Sequence, residues 1–187
     1  MLRQVEQTRQ AGAAGVAIGM LHGDGRVEVE RSRALVESAY PMRSTFHRAF
    51  DAAPELSEAL EAVIETGADC LLTSGGKADV LTGAESIGQL REQAGSRLDV
   101  MAGGGLTLAN LTEVVRQSGV SLLHGSLKRK PENGAGWENS AGNGLGWASG
   151  RGSARLEADV RHAIGLFREQ RARSRPALCM REAGTAL

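Results

Sequence analysis

The stretch Ser44-Thr45-Phe46-His47-Arg48-Ala49-Phe50-Asp51 begins as a strand and ends in chemically active side chains, and its reading decides the fold. Strand alternation places Phe46 and Phe50 on one face and Thr45, His47 and Asp51 on the other. If the phenylalanines face a layer of helices, His47 points to the opposite side, with Arg48 near the rim. Four further apolar runs have the same character: Gly15-Val16-Ala17-Ile18, Cys70-Leu71-Leu72-Thr73, Leu98 to Ala102 and Val120 to His124. Five strands are expected.

Between the runs, apolar residues recur at three- and four-residue spacing, as in an amphipathic helix. One set is Leu56, Leu60, Val63 and Ile64. The next is Leu81, Ile87 and Leu90, and the third is Leu108, Leu111, Val114 and Val115. Gly12, Gly67 and Gly119 stand where helices should end, and glycine is the usual C-terminal cap. Strands that alternate with helices predict an α/β protein with a parallel sheet and right-handed crossovers, either closed as a barrel or open and doubly wound. Met1 to Gln10 also reads as a helix, with Leu2, Val5 and Ala11 on one face, so the series opens on a helix. That is the expectation for part of a larger barrel.

The C-terminal third departs from this rhythm. Residues from about 130 to 153 are rich in Gly, Asn and Ser and include Trp137 and Trp147, which predicts a long loop packed as a lid. A helix is expected from about Ala154 to Arg173, with Leu156, Val160, Ile164 and Phe167 in register. Residues 1–175 thus form one domain, and 176–187 a flexible tail.

Length and composition narrow the function. A chain of 187 residues can bury a sizeable core, but it is short of the roughly 250 residues of an eight-fold βα barrel. Its 22 basic residues are balanced by 22 acidic ones, so no global field draws it to nucleic acid or to a membrane. A small molecule, such as the anionic ligand considered below, or a protein is the better-matched partner. Cys70 and Cys179 form neither a disulfide framework nor a CxxC pair, and no secretory signal or 18-residue apolar stretch is present. A cytoplasmic location is expected.

In a parallel barrel the reactive groups gather at the C-terminal ends of the strands. There the sequence offers His47, Arg48 and Asp51 as candidate catalytic residues. A planar guanidinium at Arg48 can hold a carboxylate or phosphate at two points; equally, His47 can bond within the core while Arg48 and Asp51 form a structural pair. Thr73-Ser74-Gly75-Gly76-Lys77 adds hydroxyls and a cation without P-loop spacing. Gly103-Gly104-Gly105, followed by Thr107 as a helix N-cap, can bring backbone N–H groups to an anion, with His124-Gly125-Ser126 as the partner loop. The candidate anion-binding residues are therefore Thr73, Ser74, Gly75, Gly103, Gly104, Gly105, His124 and Ser126. Cys70 opens its strand at the other end and reads as core filler. His22 and Asp24 fall in a glycine turn that accounts for them.

Taken in order, Gly19-Met20-Leu21 with Asp24-Gly25 and Val27, Thr45 to Asp51, Leu72-Thr73-Ser74-Gly75, Val100 to Gly105 with Asn110-Leu111, and His124-Gly125-Ser126 resemble the CutC copper-homeostasis family. The resemblance implies a TIM-type (β/α) barrel, incomplete here, with about five βα units that correspond to strands four to eight and without the first three. It also implies a role in copper homeostasis and a link to copper. In the family the first strands carry cysteines proposed as copper ligands and an Arg-Pro-Arg-Gly-Gly-Asp-Phe loop, and no segment of this sequence matches either. Two other functions fit the residues: a barrel enzyme acting on a phosphorylated metabolite, with His47 or His124 moving a proton, and a non-catalytic piece that acts by association, including association of its own copies. The sequence leaves open whether the chain is an enzyme.

Overall fold

A computed structural model describes residues 1–125 and a helix at 150–174, with the side chains of that helix over 158–170. The elements run α1 (Leu2–Gln10), β1 (Gly15–Ile18), α2 (Val29–Ala39), β2 (Arg43–Phe46), a short 3-10 helix (Arg48–Ala52), α3 (Leu56–Glu65), β3 (Cys70–Thr73), α4 (Ala84–Ala94), β4 (Asp99–Gly103), α5 (Leu108–Ser118), β5 (Leu122–His124) and α6 (Gly150–Ser174). The strands form one sheet in the order β1-β2-β3-β4-β5, and every neighbouring pair is parallel. This is a run of five consecutive strands of a TIM-type βα array; the sequential order decides between the barrel and the doubly wound sheet that the alternating pattern left open.

Periodicity explains which face is buried. On β2, Ser44 and Phe46 turn towards the helices; on β3 Leu71 does so, and on β4 Val100 and Ala102. They meet Leu60 and Val63 of α3, Ile87 and Leu90 of α4, and Leu111, Val114 and Val115 of α5 in one core. A second, smaller core joins Ile18 of β1 to Val5 of α1 and to Leu35 and Ala39 of α2. Gly12, Gly67 and Gly119 have φ of 77°, 78° and 64° at helix ends, so the expected glycine caps are present.

Several expectations are corrected. The strand read as running from Ser44 to Phe50 stops at Phe46. His47 remains extended (φ −84°, ψ −176°) and its Nδ1 accepts the Ala49 N–H, so the chain winds into the 3-10 helix. Phe46 and Phe50 still share the core, both fully buried, through that turn and not through strand alternation. Leu81 lies ahead of α4 in a turn whose N–H groups at Leu81 and Thr82 are held by Asp79, and Val80 takes the buried place. On α6, Val160 and Ile164 are exposed; the helix packs through Ala163, Leu166 and Phe167, one step round its circumference.

The helix α2 has no counterpart among the expected elements. Its inward face carries Ser32 between Val29 and Leu35, which breaks the apolar spacing. The helix expected from about residue 154 starts at Gly150. Most of the Gly/Asn-rich segment, with Trp137 and Trp147, and the tail at 176–187 lie outside the described residues, as do Ser126 and Cys179.

Candidate functional site

The site begins with the bend at the end of β2. Because the chain winds up immediately after His47, the Asp51 side chain swings across to the end of β3. There its carboxylate is saturated. Oδ1 accepts from Thr73 Oγ1 at 2.5 Å and from the Gly76 N–H at 3.1 Å, while Oδ2 accepts from Ser74 Oγ at 3.0 Å and from Arg48 Nε at 2.8 Å. The Ser74 N–H is shared between both oxygens at 3.1 Å.

Burial alone would push the Asp51 carboxyl up. The hydrogen bonds from Thr73, Arg48, Gly76 and Ser74 outweigh it and hold the group below its ordinary range. It is therefore ionised at neutral pH, and its acceptor positions are occupied. Such a carboxylate is a structural anchor and a poor general base.

Arg48 is fixed by two partners, Asp51 through Nε and Ser74 Oγ through Nη2 at 2.8 Å. The Ser74 hydroxyl has one proton to share between the Lys77 carbonyl, at 2.6 Å, and Asp51 Oδ2, at 3.0 Å. Among the described residues nothing engages Nη1, and the side chain remains 41% exposed. The guanidinium lies against Gly104, where φ is +109° and a β-carbon would approach Arg48 Nη1 to 2.9 Å. Glycine is required there both for its backbone and for the close approach.

The loops after β3 and β4 are clasped together. Val80 N–H donates to the Gly104 carbonyl at 2.7 Å, and Asn110 Nδ2 donates to the Gly105 carbonyl at 3.0 Å. Thr107 caps α5 as expected and forms a reciprocal pair with Asn110. Gly83 packs so tightly on Ser74 that a β-carbon would stand 1.8 Å from the Ser74 carbonyl oxygen. The arginine therefore sits on a rigid seat.

The structure thus brings Arg48, Asp51, Thr73, Ser74 and Gly104 together. Thr73 and Ser74 are fully buried and give their hydroxyls to Asp51 and Lys77, while the Gly75 N–H is given to Thr73 Oγ1. These groups shape the site and are not free to meet a ligand. Gly103 ends β4 beside His124, which is exposed at the end of β5. His47 lies over Gly19, with Cε1 and Nδ1 2.6 Å from where a β-carbon of that glycine would be. Its Nδ1 caps the 3-10 helix, so in the neutral ring the proton resides on Nε2. Both structural readings of the motif hold together: His47 caps, and Arg48 pairs with Asp51. Sequence reasoning missed the coordinating role of Asp51, for which its position three residues after Arg48 was the available signal.

A cavity of about 380 Å³ opens elsewhere, between the hairpin bridged at Leu21 and Val27 and the start of α3, and is lined by His22, Arg26, Pro54, Glu55 and Glu58 among others. Asp24 there holds the Arg26 N–H and Nε at 3.0 and 2.7 Å, which is turn chemistry as read from the glycines.

The described residues do not suit copper. No group of three or more His, Cys, Asp or Glu that could hold a metal ion occurs among them. Cys70 is buried, and desolvation, reinforced by Asp99, pushes its thiol up to about 11. A soft metal needs the thiolate, which this environment opposes. Nor is any described helix long and apolar enough to cross a membrane.

Comparison with known proteins sets these features in context. The model of the CutC family matches residues 1–129. The chain is 42% identical over 127 residues to the family protein CutC of Caulobacter vibrioides, covering 68% of this chain and 52% of that protein. It is 45% identical over 128 residues to that of Chromobacterium violaceum, with the same coverage, and 36% identical over 141 residues to that of Bacteroides fragilis, covering 75% and 56%. The chain spans about half the length of the curated relatives it matches. A crystal structure of CutC from Streptococcus agalactiae, whose name assigns it provisionally to copper homeostasis, is similar with a TM-score of 0.63 at 21% identity, covering 68% of this chain and 63% of that one. A native KDPGal structure has a TM-score of 0.58 at 21% identity, covering 92% and 66%. At these identities the structural likeness concerns the fold.

Proposed function

This chain belongs to the CutC family, and on that premise we propose that its described part supplies a small-anion recognition site, centred on Arg48, to a protein of copper homeostasis. The name of the Streptococcus agalactiae relative supports the wider role. The observation that carries the site is the orientation of Arg48. Asp51 and Ser74 hold Nε and Nη2, while Nη1, against Gly104, has no hydrogen-bond partner among the described residues and the side chain stays 41% exposed.

An arginine held in this way has already lost its conformational freedom, so an anion meets a pre-arranged donor. Phosphate, sulfate or a carboxylate would bond to the outward edge of the guanidinium, and a charge-assisted bond of this kind is the stronger sort. The glycines at 104 and 105 keep side chains out of its path. Copper handling is not assigned to the described residues, whose donors do not fit it. His124 and the Lys77 side chain, both exposed near strand ends, are proposed as secondary contacts.

Isothermal titration of the purified chain with inorganic phosphate tests this reading. Saturable binding that falls at least tenfold in Arg48→Met, with the circular dichroism spectrum unchanged, is the expected result. Equal binding by the two proteins would refute it.

A further inference from the structure

The cavity between the hairpin of residues 21–27 and the start of α3 has about 380 Å³, within the range of roughly 300–1,000 Å³ in which small ligands are held. Its frame is fixed. Leu21 and Val27 bridge the two arms, the His22 N–H donates to the Arg26 carbonyl at 2.8 Å, and the Glu28 N–H donates to the Met20 carbonyl at 2.9 Å. The tip rests on the turn before α3: a β-carbon on Gly25 would stand 3.2 Å from the Ala52 carbonyl oxygen and 3.3 Å from Pro54 Cδ. The hairpin therefore cannot settle further onto the helix, and the side chains of Ala53, Ala59 and Ala62 are too short to fill the space. With the buried Val27 they give the cavity an apolar floor.

Charges of both signs face this floor. Arg26 comes from the hairpin. Asp24 holds its Nε at 2.7 Å, but among the described residues no hydrogen bond engages Nη1 or Nη2, and the side chain is 74% exposed. Glu55 and Glu58 come from the start of α3, on the helical face that also carries Ala59 and Ala62. Neither carboxylate has a partner among the described residues. The first turn of a helix favours carboxylates whatever lies outside it, which accounts for their presence there. It does not account for Arg26, which lines the same cavity and meets neither. Elsewhere, unlike charges from different elements touch: Arg33 and Glu65 at 3.0 Å, Arg97 and Glu61 at 2.6 Å.

We infer that this cavity binds a free α-amino acid with an aliphatic side chain. The ligand carboxylate takes the open edge of the Arg26 guanidinium at two points. Its ammonium donates to Glu55 and Glu58, and its side chain covers Val27, Ala59 and Ala62, where removal of apolar surface from water adds a non-directional attraction. A zwitterion satisfies both walls at once. A simple anion such as phosphate meets Glu55 and Glu58 as like charges, and a simple cation leaves Arg26 unmatched, so this site and the one at Arg48 accept different ligands.

Isothermal titration of the 187-residue chain with L-leucine is the test, beside isoamylamine and 4-methylpentanoate, which each keep the aliphatic body and one charged end. Saturable binding of leucine is expected, with each single-ended probe weaker by about tenfold or more. Arg26→Gln and Glu58→Gln, on opposite walls, should each weaken leucine by a similar factor, and Ala62→Leu should fill the floor and abolish binding, all at an unchanged circular dichroism spectrum. The absence of saturable leucine binding would overturn the inference. So would single-ended probes that bind as tightly as leucine, or undiminished affinity in both charge variants.

Discussion

Arg48 lies so close to Gly104 that a β-carbon on the glycine would stand 2.9 Å from the guanidinium carbon, and Ser74 Cβ would be 3.1 Å away on another side. The loop after β4 therefore forms the wall against which the arginine is held. With φ at +109°, the position is also one that side-chain-bearing residues rarely adopt.

Gly104→Ala is expected to cost about 1–3 kcal/mol of stability through backbone strain and to displace the guanidinium. Urea unfolding together with phosphate titration checks both effects. A variant as stable as the parent, with undiminished affinity, would show that the close approach has no consequence.

Asp51 joins the ends of β2 and β3 through Thr73, Ser74, Gly76 and Arg48. Asp51→Asn removes the charge and replaces one acceptor oxygen by a donor where Arg48 and the Ser74 and Gly76 N–H groups can only donate, and should cost about 1.5–3 kcal/mol. The pH dependence follows from the sign of the shift. The folded carboxyl is held below its ordinary value of 3.8, so its stabilisation is fully present above 3.8 and is lost as pH falls through the folded value. The difference in stability between parent and variant should be constant near neutrality and should shrink only in strong acid. A gap that closed between neutral pH and 5 would contradict this assignment.

Cys70 provides a chemical probe of the core. Its thiol is pushed from 9.0 up to about 11, by desolvation first. Alkylation at mildly alkaline pH should be slowed about a hundredfold relative to the unfolded chain, because the thiolate is the reacting form. Peptide mapping after iodoacetamide treatment reads this directly, and rapid labelling of Cys70 in the native protein would be the opposing outcome. By the same linkage, this thiol leaves stability unchanged below about 9 and lowers it as pH rises from there towards 11, where the unfolded chain loses the proton first.

Ser32 is fully buried on α2, and its hydroxyl has no hydrogen-bond partner. Ser32→Ala should therefore stabilise the chain by about 1 kcal/mol, since an unsatisfied buried hydroxyl carries a desolvation cost. A higher midpoint in thermal unfolding is expected; a lower one would mean that the hydroxyl is bonded.

Much of the fold was legible because spacing and burial agree. The runs Gly15–Ile18 and Cys70–Thr73 are strands with the expected bounds, and Thr107 caps α5. The helix α2 was hidden by that same buried serine. Val160 and Ile164 look like core residues in sequence, yet the facing surface of α5 meets the helix through Ala163 and Phe167 instead. At the site, the sequence identified Arg48, Asp51, Thr73 and Ser74 as neighbours of a strand-end cleft. It did not show which would be consumed in holding the others. That depends on the 3-10 turn after His47, which a strand pattern extended to Phe50 conceals.

The central claim is that Arg48, seated by Asp51 and Ser74, presents one edge of its guanidinium to a small anion beside Gly104. Nitrogen-detected NMR titration of the labelled chain with inorganic phosphate addresses it most directly. Saturable shifts at the Arg48 Nε–H and at the Gly104 and Gly105 amides, with a common affinity, are predicted. Contradiction would come from shifts that grow linearly and spread evenly over surface amides, or from saturable shifts confined to residues away from Arg48.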